Sequence, residues 1–121
     1  SMREVDARSA SFAEGVLQAA RLDGAQLDEA VLNHANLTQV SLMRAKLPKA
    51  RLRYALLTDA HAGFANLMEA NLESADLTRA DLRGSNLHGA ETLEATLIDA
   101  RLDQAILTQT KLTHPILKRR R

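Results

Sequence analysis

The chain has 121 residues, 45% of them apolar and 26% charged, and its 16 Lys and Arg against 15 Asp and Glu give a net charge of +1. This composition is typical of one folded domain and excludes a disordered chain, and the balanced charge excludes a uniformly acidic surface. The absence of Cys excludes disulfides, thiolate metal sites and cysteine nucleophiles. Only 2% of the residues are aromatic, so any core must be narrow and repetitive.

The N-terminal stretch SMREVDARSA lacks the basic, then apolar, then small-residue order of a signal peptide. No later run is long and apolar enough to span a membrane. We therefore expect a cytoplasmic protein that does not bind membranes, and we treat residues 1–4 as a short leader outside the fold.

From residue 12 to residue 117, every fifth position is Leu in 19 of 22 cases, and the position two residues earlier is Ala in 17 of 22. In a helix this spacing advances by about 140° per step and forms no apolar stripe. In a strand it places successive leucines on opposite faces. The period therefore predicts a square tube in which each pentad forms one side, with Ala near the corner and Leu in the lumen.

Charge indicates the length of one coil, because stacked coils bring equivalent residues side by side. At a separation of 20, eleven pairs are oppositely charged and one pair is like-charged. Separations of 15 and 25 each give six opposite pairs, with two and three like pairs. Thr38, Thr58 and Thr78 repeat at the same spacing of 20. Four pentads per coil are therefore predicted.

The segments ANLME, ANLES, ADLTR, ADLRG and SNLHG at 65–89 repeat Ala, then Asp or Asn, then Leu, then two variable residues. This pattern resembles the pentapeptide-repeat family over residues 5–117. The resemblance implies an all-β fold, a right-handed quadrilateral parallel β-helix (a solenoid) of about 5.5 coils, followed by a basic tail at 118–121. Where Lys46, Arg51 or Ile106 precedes the Leu position, we expect less regular turns.

Two pentads lack the lumenal Leu: AHAGF at 60–64 has Ala62 there, and AETLE at 90–94 has Thr92. We expect Phe64 and Leu93 to turn inward and refill the lumen, because a void costs several kcal/mol. The alternative is a local bulge that exposes a binding feature.

No residue constellation suited to catalysis can be assembled. The four histidines fall at different pentad positions or on distant coils, so no two could share a metal, and His61 lies one coil from Asp81. There is no phosphate loop, no nucleophile with a base and no pair of carboxylates in a cleft. We therefore predict a non-enzyme without metal or cofactor.

Two outer surfaces are candidates for binding a partner. The first is a basic band without any acid between its members: Arg44, Lys46, Lys49, Arg51 and Arg53. It suits an anionic partner, but two of its members have acidic neighbours and Tyr54 is its only stacking aromatic, so a solvated surface is the preferred interpretation. The second is the least charged face, which suits protein contact and comprises Val16, Leu56, Thr58, Thr78, Thr96, Ile98 and Ile116.

The preferred function is a protein-interaction or scaffold module of a larger bacterial-type protein, with a protein partner. The best-known activity of the family, mimicry of DNA toward a type II topoisomerase, is one alternative, but it needs a continuous acidic surface that this charge balance lacks. Nucleic-acid binding through the basic band and tail is the other, and we do not expect it. Phe12 and Leu17 lie in the first coil, whose open end is a candidate interface, including end-to-end self-association.

Overall fold

A computed structural model describes residues 3–112 as a stack of coils with four corners each. Every fifth residue from Glu4 to Gln109 has a positive φ, between 57° and 71°. After each such corner the chain closes a turn, as where the N–H of Ala25 donates to the carbonyl of Leu22 at 3.0 Å. One left-handed residue in this place is typical of a type II turn. Most of these corners are not Gly, and each costs about 1–2 kcal/mol in backbone strain.

Parallel hydrogen bonding joins each coil to the next. Isolated bridges always pair residues 20 apart, from Asp6 with Gln26 to Asn86 with Ile106. Along one pentad the N–H groups of Leu22 and Gly24 donate to the coil that follows, and that of Gln26 donates to the coil before. The predicted coil length of 20 is confirmed. These bonds and the lumen packing together offset the strain of the corners.

The β structure within residues 3–112 consists of single-residue bridges, and no continuous strand or helix occurs in that range. A corner interrupts the chain every five residues, so no extended segment can grow longer. The turns are regular even where the consensus is lost, with φ of 60° at Lys49 and 58° at Tyr54 and Gln109. The expectation of less regular turns was wrong, because the residue before the Leu position points outward and does not set the turn.

The lumen is filled as the period predicts. The Leu residues at the lumenal positions from Leu22 to Leu102 are at most 6% exposed, and the Ala residues that precede them by two positions are buried as well, except for the partly buried Ala20 and Ala95. Burial of each Leu contributes about 1.5–3 kcal/mol. We number the sides by these residues: side 1 holds Leu32, Leu52 and Leu72; side 2 Leu37, Leu57 and Leu77; side 3 Leu22, Leu42 and Leu82; side 4 Leu27, Leu47 and Leu67.

The Asp or Asn before each consensus Leu has a structural cause. In the described residues, the N–H of the residue after the Leu takes no part in the backbone ladder. A side-chain oxygen two residues earlier accepts from it, as Asn71 Oδ1 does from Glu73 N–H at 3.1 Å and Asn86 Oδ1 from His88 N–H at 2.9 Å. Asp and Asn have the reach for this bond, which Lys, Arg and Leu cannot accept.

Neither interpretation of the two defective pentads is correct. Phe64 is 56% exposed and Leu93 is 48% exposed, so neither side chain refills the lumen. There is no bulge either, because Ala62 and Thr92 occupy the lumenal position, and the corners at Phe64 and Glu94 keep φ of 59°. The backbone ladder fixes the direction of each side chain, and the small lumenal residue is tolerated.

The two ends of the described range can be compared with the predicted leader at residues 1–4 and the predicted tail at residues 118–121. Glu4 already forms a regular corner, and its N–H donates to the Asp23 carbonyl at 2.8 Å, so the coil includes residues assigned to the leader. Phe12 and Leu17 are partly buried, whereas Leu32 and Leu37 one coil later are 1% exposed. Ile116 and the basic tail lie outside the described residues. Across residues 3–112, no helix is long and apolar enough to cross a membrane.

Candidate functional site

Ion pairs on the tube surface follow the coil spacing in part. Of the opposite pairs predicted at a separation of 20, four form salt bridges among the described residues: Lys49 with Glu69 at 4.0 Å, Arg53 with Glu73 at 3.1 Å, Arg79 with Asp59 at 2.9 Å and Lys111 with Glu91 at 3.8 Å.

Two arginines instead pair within their own pentad. Arg83 bonds Asp81 and Arg8 bonds Asp6, each with an N–O distance of 2.7 Å. The carboxylate two residues earlier already accepts the arginine's backbone N–H, so its second oxygen is positioned for the guanidinium. The sequence count of pairs at a separation of 20 therefore missed these contacts.

These bonds shift the ionisation of the carboxylates. The hydrogen bond from Arg83 lowers the pKa of Asp81, and that from Arg79 lowers the pKa of Asp59. The charged forms of both Asp side chains are thus stabilised in the folded chain. No group of His, Asp and Glu within residues 3–112 is arranged to hold a metal ion.

The basic band runs round three sides of one coil. Arg44 lies at the corner that ends side 3, Lys46 and Lys49 lie on side 4, and Arg51 and Arg53 lie on side 1; all five are exposed. Lys49 and Arg53 have the carboxylate partners that the sequence predicted.

Lys46 and Arg51, on either side of Lys49 in the band, are bridged to uncharged residues of the neighbouring coils. Lys46 is bridged to Gln26 and Asn66. Arg51 is bridged to Val31 and Asn71. Lys46 and Arg51 therefore differ from Lys49 and Arg53, which pair with Glu69 and Glu73.

Exposed aromatic rings lie at both ends of the basic band. At one end the Arg44 guanidinium lies 5.3 Å from the ring centroid of Phe64. At the other, Tyr54 is 47% exposed and stacks on His34 with ring centroids 4.9 Å apart and planes 7° apart. Sequence reasoning missed Phe64 because it assigned that ring to the lumen; its place at the fifth, corner position of the pentad was the available signal.

The least charged face predicted from the sequence lies on side 2, and we call it the flat face. Val16 is 80% exposed, and Leu56 and Ile98 are each 44% exposed. From Val16 to Ile98, Asp76 is the only charged residue next to the Leu positions of this side, and its carboxylate accepts bonds from the N–H and hydroxyl of Thr78. Thr58, Thr78 and Thr96 are half-buried between the apolar side chains, whereas Ile116 lies beyond the described range.

The comparisons with known proteins agree with this geometry. The family of pentapeptide repeats matches with 8 copies, over residues 1–39, 10–48, 25–61 and 65–91. No curated protein sequence matches the chain. Among solved structures, a pentapeptide repeat protein from the Arabidopsis thaliana thylakoid lumen is 23% identical with a TM-score of 0.59, covering 94% of this chain and 72% of that one.

Two further solved structures are less similar in fold. The pentapeptide repeat protein Rfr23 from the cyanobacterium Cyanothece 51142 is 23% identical with a TM-score of 0.48, covering 89% of this chain and 88% of that chain. QnrB1, a plasmid-mediated fluoroquinolone resistance protein, is 17% identical with a TM-score of 0.42, covering 93% of this chain and 67% of that chain. The likeness of fold therefore rests on the thylakoid protein.

Proposed function

The chain belongs to the pentapeptide repeat family, and on that premise we propose that it is a non-enzymatic protein-interaction or scaffold module. We place it in a larger bacterial-type protein of the cytoplasm, with a right-handed coil as the family resemblance implies. The observation that carries the proposal is the flat face of side 2, where Val16, Leu56 and Ile98 are exposed beside half-buried threonines. Apolar side chains exposed on a rigid, weakly charged surface are typical of protein contact sites.

The mixed charge of the other sides argues against DNA mimicry. Lys and Arg side chains are interleaved with carboxylates on neighbouring coils, as Arg79 is with Asp59. A mimic of duplex DNA needs a continuous line of negative charge.

The flat face can be tested by comparing two sides of the tube. The double variant Leu56→Asp, Ile98→Asp adds charge to side 2, and Ile106→Asp adds charge to side 4 at a residue of similar exposure, 47%. Partners captured by the tagged wild-type protein from its source cell should be lost with the double variant and kept with the control. Partners retained by a folded double variant, or lost equally with the control, would contradict this role for side 2.

We propose the first coil as a second contact surface, covered by a second copy of the chain or by preceding sequence. The partial burial of Phe12 and Leu17, against almost complete burial of Leu32 and Leu37, supports it. Sedimentation over a concentration series should show self-association that Leu17→Glu weakens. A strictly monomeric and fully stable chain, no more stable when extended at its N-terminus, would contradict it.

A further inference from the structure

We propose that the flat face of side 2 binds a second copy of the same chain, with the two tubes antiparallel and a two-fold axis through Leu56. The inference rests on the proposed role of side 2 as a protein contact surface, and it names the partner. The residues before the Leu positions of side 2 form one bridged row: Val16, Asn36, Leu56, Asp76 and Thr96. The axis places Leu56 opposite itself and brings the coils before it against the coils after it.

The polar residues of this row are complementary across the axis. Asn36 and Asp76 lie one coil to either side of Leu56, so each faces the other in the second copy. Asn36 Oδ1 accepts the N–H of Thr38 at 3.1 Å, which leaves the amide nitrogen of Asn36 as a donor. Asp76 Oδ1 accepts the N–H and the hydroxyl of Thr78, which leaves Oδ2 as an acceptor. The remaining donor of one copy therefore meets the remaining acceptor of the other, and the symmetry makes this contact twice.

The exposed apolar residues of side 2 are also brought together. Leu56, which is 44% exposed, packs against Leu56 of the second copy. Val16, which is 80% exposed, lies two coils before the axis and faces Thr96 two coils after it. Ile98, 44% exposed, lies in the neighbouring row of that coil. Removal of these apolar side chains from water favours association.

Apart from Asp76, the charged residues of side 2 lie at its corners. Asp59 faces itself across the axis, and the Arg79 guanidinium, 2.9 Å away in the same copy, compensates its charge. Glu14 and Glu94 face each other at the other edge, where both are exposed and salt screens their repulsion. Added salt should therefore tighten the dimer.

Side 3 shows that such symmetry does not follow from the repeat alone. An equivalent axis through the middle of its five coils from Leu22 to Leu102 would place Arg21 opposite Arg101. It would also place Asp23 opposite Asp103. Like charges that face each other across an interface repel. The self-complementary pattern is therefore a property of the residues on side 2.

The size of the face determines the strength of the dimer. Five coils spaced by about 4.8 Å and a side of at most five extended residues give a surface of roughly 24 by 16 Å. This is about half of the roughly 800 Å² that each partner buries in a stable complex of standard size. We therefore expect a reversible dimer with a dissociation constant of about 10–100 μM.

An exchange of the two polar residues tests the register. Asn36→Asp places carboxylates opposite each other at both contacts and should weaken the dimer by about tenfold or more, measured by sedimentation over a concentration series. The double variant Asn36→Asp, Asp76→Asn keeps the net charge of the wild-type protein, restores the complementary pair and should recover the dimer. Asn86→Asp, at the same pentad position on side 4, adds the same charge and should have little effect. Circular dichroism of each variant confirms that the tube is intact.

Cysteine crosslinking tests the direction of the two tubes, because the chain has no Cys of its own. Leu56→Cys lies on the axis and should form a covalent dimer with a short bismaleimide. Val16→Cys should not, since the two copies of residue 16 are four coils, about 19 Å, apart along the tube. A parallel pair of tubes would crosslink through both variants, which would contradict the proposal.

Other results would also overturn the proposal. They are a monomer at concentrations well above the expected dissociation constant, and a loss in Asn36→Asp that the double variant does not recover. Self-association that Asn36→Asp leaves unchanged would belong to the first coil. The proposed function has a separate outcome: a monomeric chain that captures a different protein, and loses it with Leu56→Asp, Ile98→Asp, would retain side 2 as a contact surface and reject the second copy as its partner.

Discussion

The consensus stretch, residues 65–88, and the preceding coil, residues 45–64, have almost the same interior and different exteriors. Both have regular corners and buried Leu and Ala. In the consensus stretch the residue before each Leu is Asn or Asp and accepts the N–H two residues on. In the preceding coil the same places hold Lys46, Arg51, Leu56 and His61. The lumen and the corners therefore specify the tube, and the position before the Leu can carry other chemistry.

Two positions of the preceding coil show how the tube does without that acceptor. Arg53 N–H donates to Asn33 Oδ1 of the neighbouring coil at 3.0 Å. Pro48 has no N–H to satisfy, and it occupies the first central position of its turn, which Pro favours. Asp28 lies one coil before Pro48, in the relation that Asn33 has to Arg53, and its Oδ1 is buried without a partner. The missing donor of Pro48 explains that unpartnered oxygen.

The largest expected effect tests the shared interior. Leu52→Ala and Leu72→Ala lie on side 1 in successive coils and are 1% and 0% exposed. Each should lower the free energy of unfolding by about 2–5 kcal/mol, because a ladder fixed on both sides cannot collapse round the cavity. Urea unfolding measures both. A cost confined to the consensus stretch would show that the two interiors are not equivalent. Leu77→Ala, on side 2 of the consensus stretch, should have a cost of the same magnitude for the same reason.

A smaller difference should separate the exteriors. Asn71→Leu removes the acceptor for Glu73 N–H and should lower the free energy of unfolding by about 1 kcal/mol. Arg51→Leu, at the bridged position one coil earlier, removes no such acceptor and should change it by less than about 0.5 kcal/mol. The urea midpoints of the two variants give the comparison, and equal midpoints would contradict the structural role of Asn at this position.

The hydrogen bond from Arg53 N–H to Asn33 of the neighbouring coil allows a second comparison of two matched variants. Asn33→Ala deprives Arg53 N–H of its acceptor and should cost about 1 kcal/mol. Asp28→Ala removes a buried oxygen that has no partner and should be close to neutral or stabilising. Thermal unfolding at neutral pH measures both variants. A larger cost for Asp28→Ala would contradict the role assigned to Pro48.

The smallest expected effect is on the loss of folding stability at acidic pH. The hydrogen bond from Arg83 lowers the pKa of Asp81 in the folded chain below its unfolded value. The stability that this provides is present above the unfolded pKa and is lost as pH falls through the folded pKa. Asp81→Asn should therefore flatten the loss of stability in acid while its amide oxygen still accepts the N–H of Arg83. Urea unfolding at successive pH values measures this. The same decrease of the free energy of unfolding with falling pH in Asp81→Asn as in the wild-type protein would contradict this contribution.

Much of the fold could be predicted because the lumen repeats without a break. The spacing of Leu and Ala identifies the buried positions, and charge at a separation of 20 gives the coil length that the bridges confirm. The placement of Phe64 could not be obtained in this way. Hydrophobicity favours an inward ring, but the left-handed corner at Phe64 directs the side chain outward and places the ring against Gly84. The local backbone geometry decides against the hydrophobic preference.

The sequence by itself determined the period, the buried positions and the register of the coils, because each follows from which residue types recur every five and every twenty positions. Only the tertiary structure decided how the exterior is paired. Arg83 has Asp81 two residues away and Asp103 one coil away, and the coil geometry gives the bond of 2.7 Å to Asp81. The same geometry places the exposed rings of Tyr54 and Phe64 at the two ends of the basic band. Contacts between outward side chains depend on distances of a few ångströms between neighbouring coils, which a repeat pattern does not specify.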